Sequence, residues 1–429
     1  MARKTAQSAS APASPPAPVW PAKAMSPIAL MCAFYGVCLA LTVMGRNPLW
    51  FNHLEPDLGE YSIRVHRFLD GTLTGSEYPP VAVMAFLVPA LLERCGVGFV
   101  DAVLALNMAA IGLHLAILNQ VQGRASALLF ALLMVAAGPI VLFRFELLVS
   151  LLLLLTWWAW RDARPRLAGA LLALAILTKL YPVILLPLLL RSPDEERRWQ
   201  IRPVAFGLCT AAFIVLLLFS LRGDPLSIFT DVARFHEHKP VALESVTAVA
   251  VIAASTALTG HPPRSVNEYG IHGLPLPGVL RLVPLAGLLA TFALLFVVLA
   301  DRPARDESTR FVLTAQAALL AVVVWSTLFQ PQYLLWPLIF TVLLPTTELP
   351  PRRVAILSIL YASVLLSEQV IYPCQYTRFL DWFYKGTPIG GMLVALIAGK
   401  IAVVAVFCMA LADAGVRQTL AGWRSARAS

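Results

Sequence analysis

Apolar runs close to the length of a bilayer recur along this chain of 429 residues, at about 28–46, 79–94, 99–119, 125–143, 145–160, 167–178, 180–190, 203–221, 245–259, 278–300, 310–328, 333–346, 354–372 and 389–412. About 20 apolar residues are needed to cross the hydrocarbon core as a helix, so the pattern dictates an all-α, polytopic helical membrane protein. Composition agrees: 59% of the residues are hydrophobic and 13% are charged. The net charge of +9 does not indicate nucleic acid, because the basic residues sit in short loops between apolar runs, where positive charge sets orientation.

Four of those loops are rich in arginine: Arg161–Arg166, Arg191–Arg202, Asp301–Arg310 and Pro350–Arg353. The positive-inside rule puts all four in the cytoplasm. For Arg161 to return there, one early run must fail to cross. The run 79–94 is the weakest candidate: it is short, opens with Pro79-Pro80 and carries Pro89, so it is expected to lie in or against the outer leaflet. Leu167–Leu190 is flanked by cytoplasmic loops at both ends and must be a hairpin, with Lys179-Leu180-Tyr181-Pro182 at a slightly sunken outer tip and Pro182 breaking the helix. The count is about twelve crossings, with larger outer loops at about 47–98 and 222–277 and a half-helix at 245–259 dipping back. Residues 1–26, rich in Ala, Ser and Pro, read as a disordered cytoplasmic tail, 27–412 as the membrane domain and 413–429 as a second cytoplasmic tail. The first apolar run begins near Pro27 and reads as a retained span, not a cleaved signal. The cysteines show neither metal spacing nor a disulfide framework.

In this topology the unusual polar residues gather on the outer side. They are the acidic stretch Glu55 to Pro80, Arg144-Phe145-Glu146, the Lys179 tip, His236 to Ser245 and Gln330-Pro331-Gln332-Tyr333. Ionisable side chains at membrane depth are costly and are functional candidates. Each also has a plain alternative. It reads the acids as a solvated loop, Arg144 and Lys179 as snorkelling side chains, with Glu146 the local partner of Arg144, and the histidines as solvated.

The run Asp57-x-x-x-Tyr61, then Gly71 and Tyr78-Pro79-Pro80, resembles the opening of glycosyltransferase family 87 in the GT-C superfamily. Arg144-Phe145-Glu146-Leu147-Leu148 is similar to that family's Arg-aromatic-Asp-Leu-Leu segment, with Glu146 where Asp is usual. Ala170 to Leu190, Glu244-Ser245 and Pro331-Gln332-Tyr333-Leu334-Leu335-Trp336 also fit. The resemblance implies a GT-C-type fold in a bacterial plasma membrane and a transferase that takes a sugar, mannose for preference, from a polyprenyl monophosphate. The acceptor would be a hydroxyl of an envelope glycan or glycolipid on the outer face; arabinofuranose and glucose are the alternative sugars.

Such a reaction needs a carboxylate for the acceptor proton, cations for the leaving phosphate and an apolar groove for the lipid. Asp57 is the expected base, and Lys179, then Arg144 and Lys239, are the expected phosphate ligands. Glu60, Tyr61, Tyr78, Glu146, Tyr181, His236, His238, Glu244, Gln332 and Tyr333 are the expected substrate-binding residues. No cofactor is required; a divalent cation is admissible, although no Asp-x-Asp motif occurs. A transporter or lipid-glycan flippase is the competing class, and Glu368 inside the run 354–372 is the residue that fits it better.

The topology is tested by single cysteines at Thr72, Gly386 and Ala163 in intact cells. An impermeant thiol reagent should label the first two and spare the third; labelling of Ala163 from outside would reverse the arrangement.

Overall fold

The computed structural model of the chain describes residues 24–73, 78–192, 199–268, 271–275, 278–300, 307–385 and 392–416, so the expected terminal tails lie almost entirely outside the described residues. The chain is almost entirely helical. Helices α1 (Pro27–Gly45) and α2 (Pro48–Leu69) are followed by two short ones, α3 (Pro80–Ala85) and α4 (Leu87–Arg94). Next come α5 (Phe99–Val121), α6 (Arg124–Ala137), the single turn α7 (Ile140–Phe143), α8 (Glu146–Arg161) and α9 (Pro165–Thr178). A tight turn at Tyr181–Leu185 leads into α10 (Leu186–Leu190) and then α11 (Ile201–Ser220), α12 (Pro225–His238) and α13 (Val246–Thr259). The rest is α14 (Gly278–Ala300), α15 (Glu307–Trp325), α16 (Leu335–Leu343), α17 (Pro351–Gln369), α18 (Tyr376–Lys385) and α19 (Met392–Leu411).

Among the described residues, six segments are long and apolar enough to cross a membrane: α1, α5, α11, α15, Pro351–Tyr372 and Val394–Gly415. Other runs behind the expected count of about twelve form shorter apolar helices, such as α6 and α9. The run 79–94 is split into α3 and α4, in keeping with a segment that does not span. The Leu167–Leu190 hairpin is present: α9 stops at Thr178, Lys179 is extended, and Pro182 starts a tight turn.

One expectation is corrected. From Glu55 to Leu69 the acidic stretch is not a loop but part of α2, with Trp50, Leu54, Leu58, Tyr61, Val65 and Phe68 buried at three- and four-residue spacing. An apolar stripe of that period lays a helix against the bundle. In the segment 222–277 the expected half-helix at 245–259 is α13, and with it stand α12 and a small antiparallel sheet of β1 (Val241–Ala242), β2 (Val266–Glu268) and β3 (Ile271–Leu274), in the order β1-β3-β2.

The four arginine-rich loops meet at one end of the bundle. The Trp160 indole donates to the Arg191 carbonyl at 2.7 Å, and the Arg191 guanidinium pairs with Glu307 at 3.0 Å. The Glu348 amide donates to Thr309 at 3.1 Å, and Arg353 pairs with Asp413 at 2.9 Å. Because α8 and α9 run antiparallel away from that end and back, Glu146 and Lys179 both lie at the opposite one.

The α9–α11 pair depends on two glycines. A Cβ on Gly169 would fall on the Val204 carbonyl, and one on Gly207 would fall on the Arg166 carbonyl. In lipid, where the apolar solvent drives little association, such close backbone approach supplies the packing energy. Gly207→Leu is therefore expected to destabilise the protein by about 3 kcal/mol. Gly36→Leu, on α1 where nothing lies within 4 Å, should cost little. Thermal unfolding in detergent checks both; equal midpoints would remove the argument.

Candidate active site

Helices that would otherwise continue are broken at the end opposite the arginine loops. The backbone is extended at Arg144 (φ −129°, ψ 150°) between α7 and α8, and at Lys179 (φ −152°, ψ 136°) after α9. It is extended again at Gln330 (φ −130°, ψ 148°), between α15 and the turn Pro331–Leu334. Proline helps at two of these breaks: Pro331 follows Gln330 directly and Pro182 stands three residues after Lys179, and neither carries an N–H for a preceding helix. Non-helical backbone at membrane depth is tolerated where it is buried in protein or lines an aqueous cavity. All three breaks border one cavity of about 660 Å³.

That cavity collects most of the residues named from the sequence. Asp57, Glu60, Tyr61, Tyr78, Arg144, Glu146, Lys179, Tyr181, Lys239, Gln332 and Tyr333 all line it. Asp57, Glu60, Tyr61 and Arg64 come from one stripe of α2, at positions i, i+3, i+4 and i+7. Ile271 of β3 and Val232 of α12 close the side formed by the 222–277 segment.

The charges in the cavity are arranged as pairs. Arg144 pairs with Asp57, and Lys179 pairs with Glu146. The plain alternative, with Glu146 as the local partner of Arg144, does not hold: Glu146 pairs with Lys179. Exposure distinguishes the members. The Arg144 side chain is 5% exposed and that of Asp57 43%. Glu146 is 1% exposed and Lys179 22%. Each pair thus has one fixed, sealed member and one that reaches the open space. Glu60 pairs along its helix with Arg64 at 3.5 Å.

Aromatic rings surround the lysine. The Lys179 ammonium lies 4.8 Å from the Phe145 ring centre, 5.4 Å from Trp336 and 5.6 Å from Tyr333. Ring faces attract a cation and give it a weakly hydrated setting. Trp336 is stacked on Tyr181 at 3.9 Å and on Tyr333 at 4.1 Å. Tyr61, Tyr78, Phe86 and Phe145 make a second aromatic group, with Tyr61 stacked on Phe86 at 4.4 Å.

One expected site residue, Glu244, falls elsewhere, and two lie outside the described side chains. Glu244 is buried behind the cavity wall and hydrogen-bonded to Tyr376; burial pushes its carboxyl above the usual carboxylate range. It lies there because β1 turns the chain inward just before α13. His236 and His238 stand in the last turn of α12, and their side chains lie outside the described ones. Glu368, the residue that fitted a transporter, pairs with Lys400 at 2.8 Å, each side chain 3% exposed. Its charge therefore has a structural partner. Among the described residues, no three His, Cys, Asp or Glu side chains come together as a metal site.

The cavity also contains residues that sequence reasoning missed as site residues, chiefly Arg64, Phe145 and Trp336. Arg64 was legible at seven residues past Asp57, and Trp336 at three past Tyr333, both same-face spacings on a helix.

The sealed position of Glu146 has a consequence for mutagenesis. Lys179→Met leaves a buried carboxylate unpaired and is expected to cost roughly 3 kcal/mol of stability. The double variant Lys179→Met/Glu146→Leu should recover most of that. Thermal midpoints of the two in detergent decide the matter; a single variant as stable as the double would mean that Glu146 is not held by Lys179.

No curated protein matches the chain. The profile of glycosyltransferase family 87 matches residues 77–331, more than half of the sequence, and this stretch carries Tyr78, Arg144, Glu146, Lys179, Tyr181 and Lys239 of the cavity wall. With helices long and apolar enough to span a bilayer and a charged cavity among broken helices, the chain belongs to glycosyltransferase family 87 and is an integral membrane glycosyltransferase.

Proposed function

We propose that this enzyme transfers a sugar, mannose for preference, from a polyprenyl monophosphate to a hydroxyl of an envelope glycan or glycolipid. The observation that carries the reading is the pairing of two cations with two carboxylates around one cavity, at the end of the bundle away from the arginine loops. If those loops are cytoplasmic, as positive-inside charge favours, the cavity opens at the outer face of a bacterial plasma membrane. A lipid-linked donor presents its phosphate and sugar at that depth while its tail stays in the bilayer.

The pairs suggest how the site engages the donor. A phosphate entering between Lys179 and Arg144 competes with Glu146 and Asp57 for the cations. Lys179, with more of its side chain open, gives it a first charge partner. Arg144 offers a planar fork suited to two phosphate oxygens, and it lets go of Asp57 as it takes them up. Asp57 is then a carboxylate without its cation and therefore a stronger base.

The acceptor oxygen attacks the anomeric carbon, the bond from that carbon to the phosphate oxygen breaks, and the hydroxyl proton passes to Asp57. Polyprenyl phosphate leaves with the electron pair, held by Lys179 and Arg144. A single displacement inverts the anomeric carbon, so a β-linked donor gives an α-linked product. Charge on the leaving group is met by these side chains, and no metal is required. The stacked Tyr181, Trp336 and Tyr333 provide a flat apolar wall for a sugar ring.

The test supplies purified protein with a panel of radiolabelled polyprenyl-phosphate sugars and total envelope lipids, with and without EDTA. One donor, expected to be the mannosyl one, should be consumed, EDTA notwithstanding. Asp57→Asn should lower transfer by ~10²–10⁴-fold while donor binding is kept. Glu55→Gln, two residues away and outside the cavity wall, should cost far less. Near wild-type transfer by Asp57→Asn removes Asp57 as the base, and consumption of none of the donors removes the donor class.

A further inference from the structure

The family match ends at residue 331, yet a further segment that holds Arg144 lies beyond it. After α17 the chain kinks: Tyr372 is non-helical (φ −122°, ψ 121°), and the path turns into α18. On either side of this kink, two side chains reach back to the stretch between α6 and α8. Gln369 donates from its amide to the Ala136 carbonyl, and to the Val135 carbonyl at 3.4 Å, at the C-terminal end of α6. The Arg144 guanidinium donates to the phenol oxygen of Tyr372 as well as pairing with Asp57.

The receiving stretch is built for this contact. Gly138 has φ +71°, a conformation that favours glycine, and a Cβ there would meet the Gln369 amide at 2.5 Å. The last carbonyls of a helix have no partner within it, so an inserted glutamine amide satisfies them from outside. Arg144 is further held by the Leu54 and Phe143 carbonyls, each at 3.4 Å. Tyr372 does not line the large cavity; it faces the small void beside Trp50, Leu365 and Glu368. Its ring lies 5.3 Å from that of Tyr376, which in turn bonds the buried Glu244. The kink is thereby fastened on its far side too, and none of these residues meets a substrate in the cavity directly.

We propose that Gln369 and Tyr372 form a clamp on the Gly138–Arg144 stretch, which aims the Arg144 guanidinium at Asp57 and, given the donor reading above, at the donor phosphate. Tyr372 is a positioning residue for Arg144. The C-terminal third of the chain therefore positions an arginine that lies inside the matched region.

The test compares wild type, Tyr372→Phe, Arg144→Lys and the double variant, with Tyr384→Phe as a phenol-deleted control remote from Arg144. Tyr372→Phe keeps the ring packing and removes only the acceptor oxygen. It is expected to lower kcat by about tenfold while the donor KM changes by less than about threefold, because a misaimed group costs turnover more than binding. Once the fork is gone in Arg144→Lys, adding Tyr372→Phe should lower kcat no further. Tyr384→Phe should behave as wild type.

The same proteins are unfolded thermally without substrate, where the Tyr372→Phe and Arg144→Lys shifts should again be non-additive. Wild-type kcat in Tyr372→Phe, or additive changes in either measurement, would overturn the clamp. Coupled unfolding shifts with no transfer by any protein would overturn the donor reading and leave the clamp standing.

Discussion

A backbone inside a bilayer has no water to bond to, and the architecture follows from that. Unbroken α1, α5 and α11 meet the condition within themselves and present apolar side chains outward, as the exposed Leu39, Phe213 and Leu217 show. Interrupted helices must meet it otherwise, and here they are placed together. The breaks at Arg144, Lys179 and Gln330 share one water-accessible cavity, and the freed carbonyls at the end of α6 are bonded by Gln369. A break that would be costly alone in lipid becomes the wall of a site when three of them adjoin.

The second constraint is charge. Arg144 and Glu146 are almost sealed from solvent, and a buried ion without a partner costs several kcal/mol. Their partners, Asp57 and Lys179, are the more exposed members of the two pairs. The elements are thereby linked: α2 to the start of α8 through Asp57–Arg144, and the start of α8 to the end of α9 through Glu146–Lys179. Deeper in the bundle, Glu368–Lys400 joins α17 to α19 by the same rule. That pair removes the main feature that set this chain near a transporter, since an intramembrane acid with a fixed lysine partner is a tie between helices.

The two ends of the molecule divide the charge between them. At one, Arg161, Arg191, Arg310 and Arg353 lie near the loop pairs with Glu307 and Asp413. At the other, the charges face inward around the cavity. Close packing of α9 on α11 through Gly169 and Gly207 fixes the hairpin that joins these ends, and so carries Lys179 from the arginine loops to the site.

Much of this was legible in the sequence. Apolar runs and arginine loops determined a polytopic helical membrane protein and put the polar oddities at one end, because run length and loop charge are local properties. The Lys179 hairpin was legible because Pro182 falls midway in an apolar run flanked at both ends by arginine loops. The α2 stripe was also present in the spacing of Leu54, Leu58, Tyr61, Val65 and Phe68, but the acids between them made the segment read as a loop. Pairing was not legible. Arg144 stands two residues from Glu146, yet the helix that starts at Glu146 turns the two side chains apart, and their partners come from α2 and from the end of α9. Glu244 reads as a site residue by motif and is buried behind the wall, since β1 directs it inward. Tyr372 and Gln369, more than two hundred residues from Arg144 and Ala136, met no local signal at all. Which charge meets which is decided by helix packing, because an ion pair needs atoms within about 4 Å, and only the tertiary structure sets separations that small.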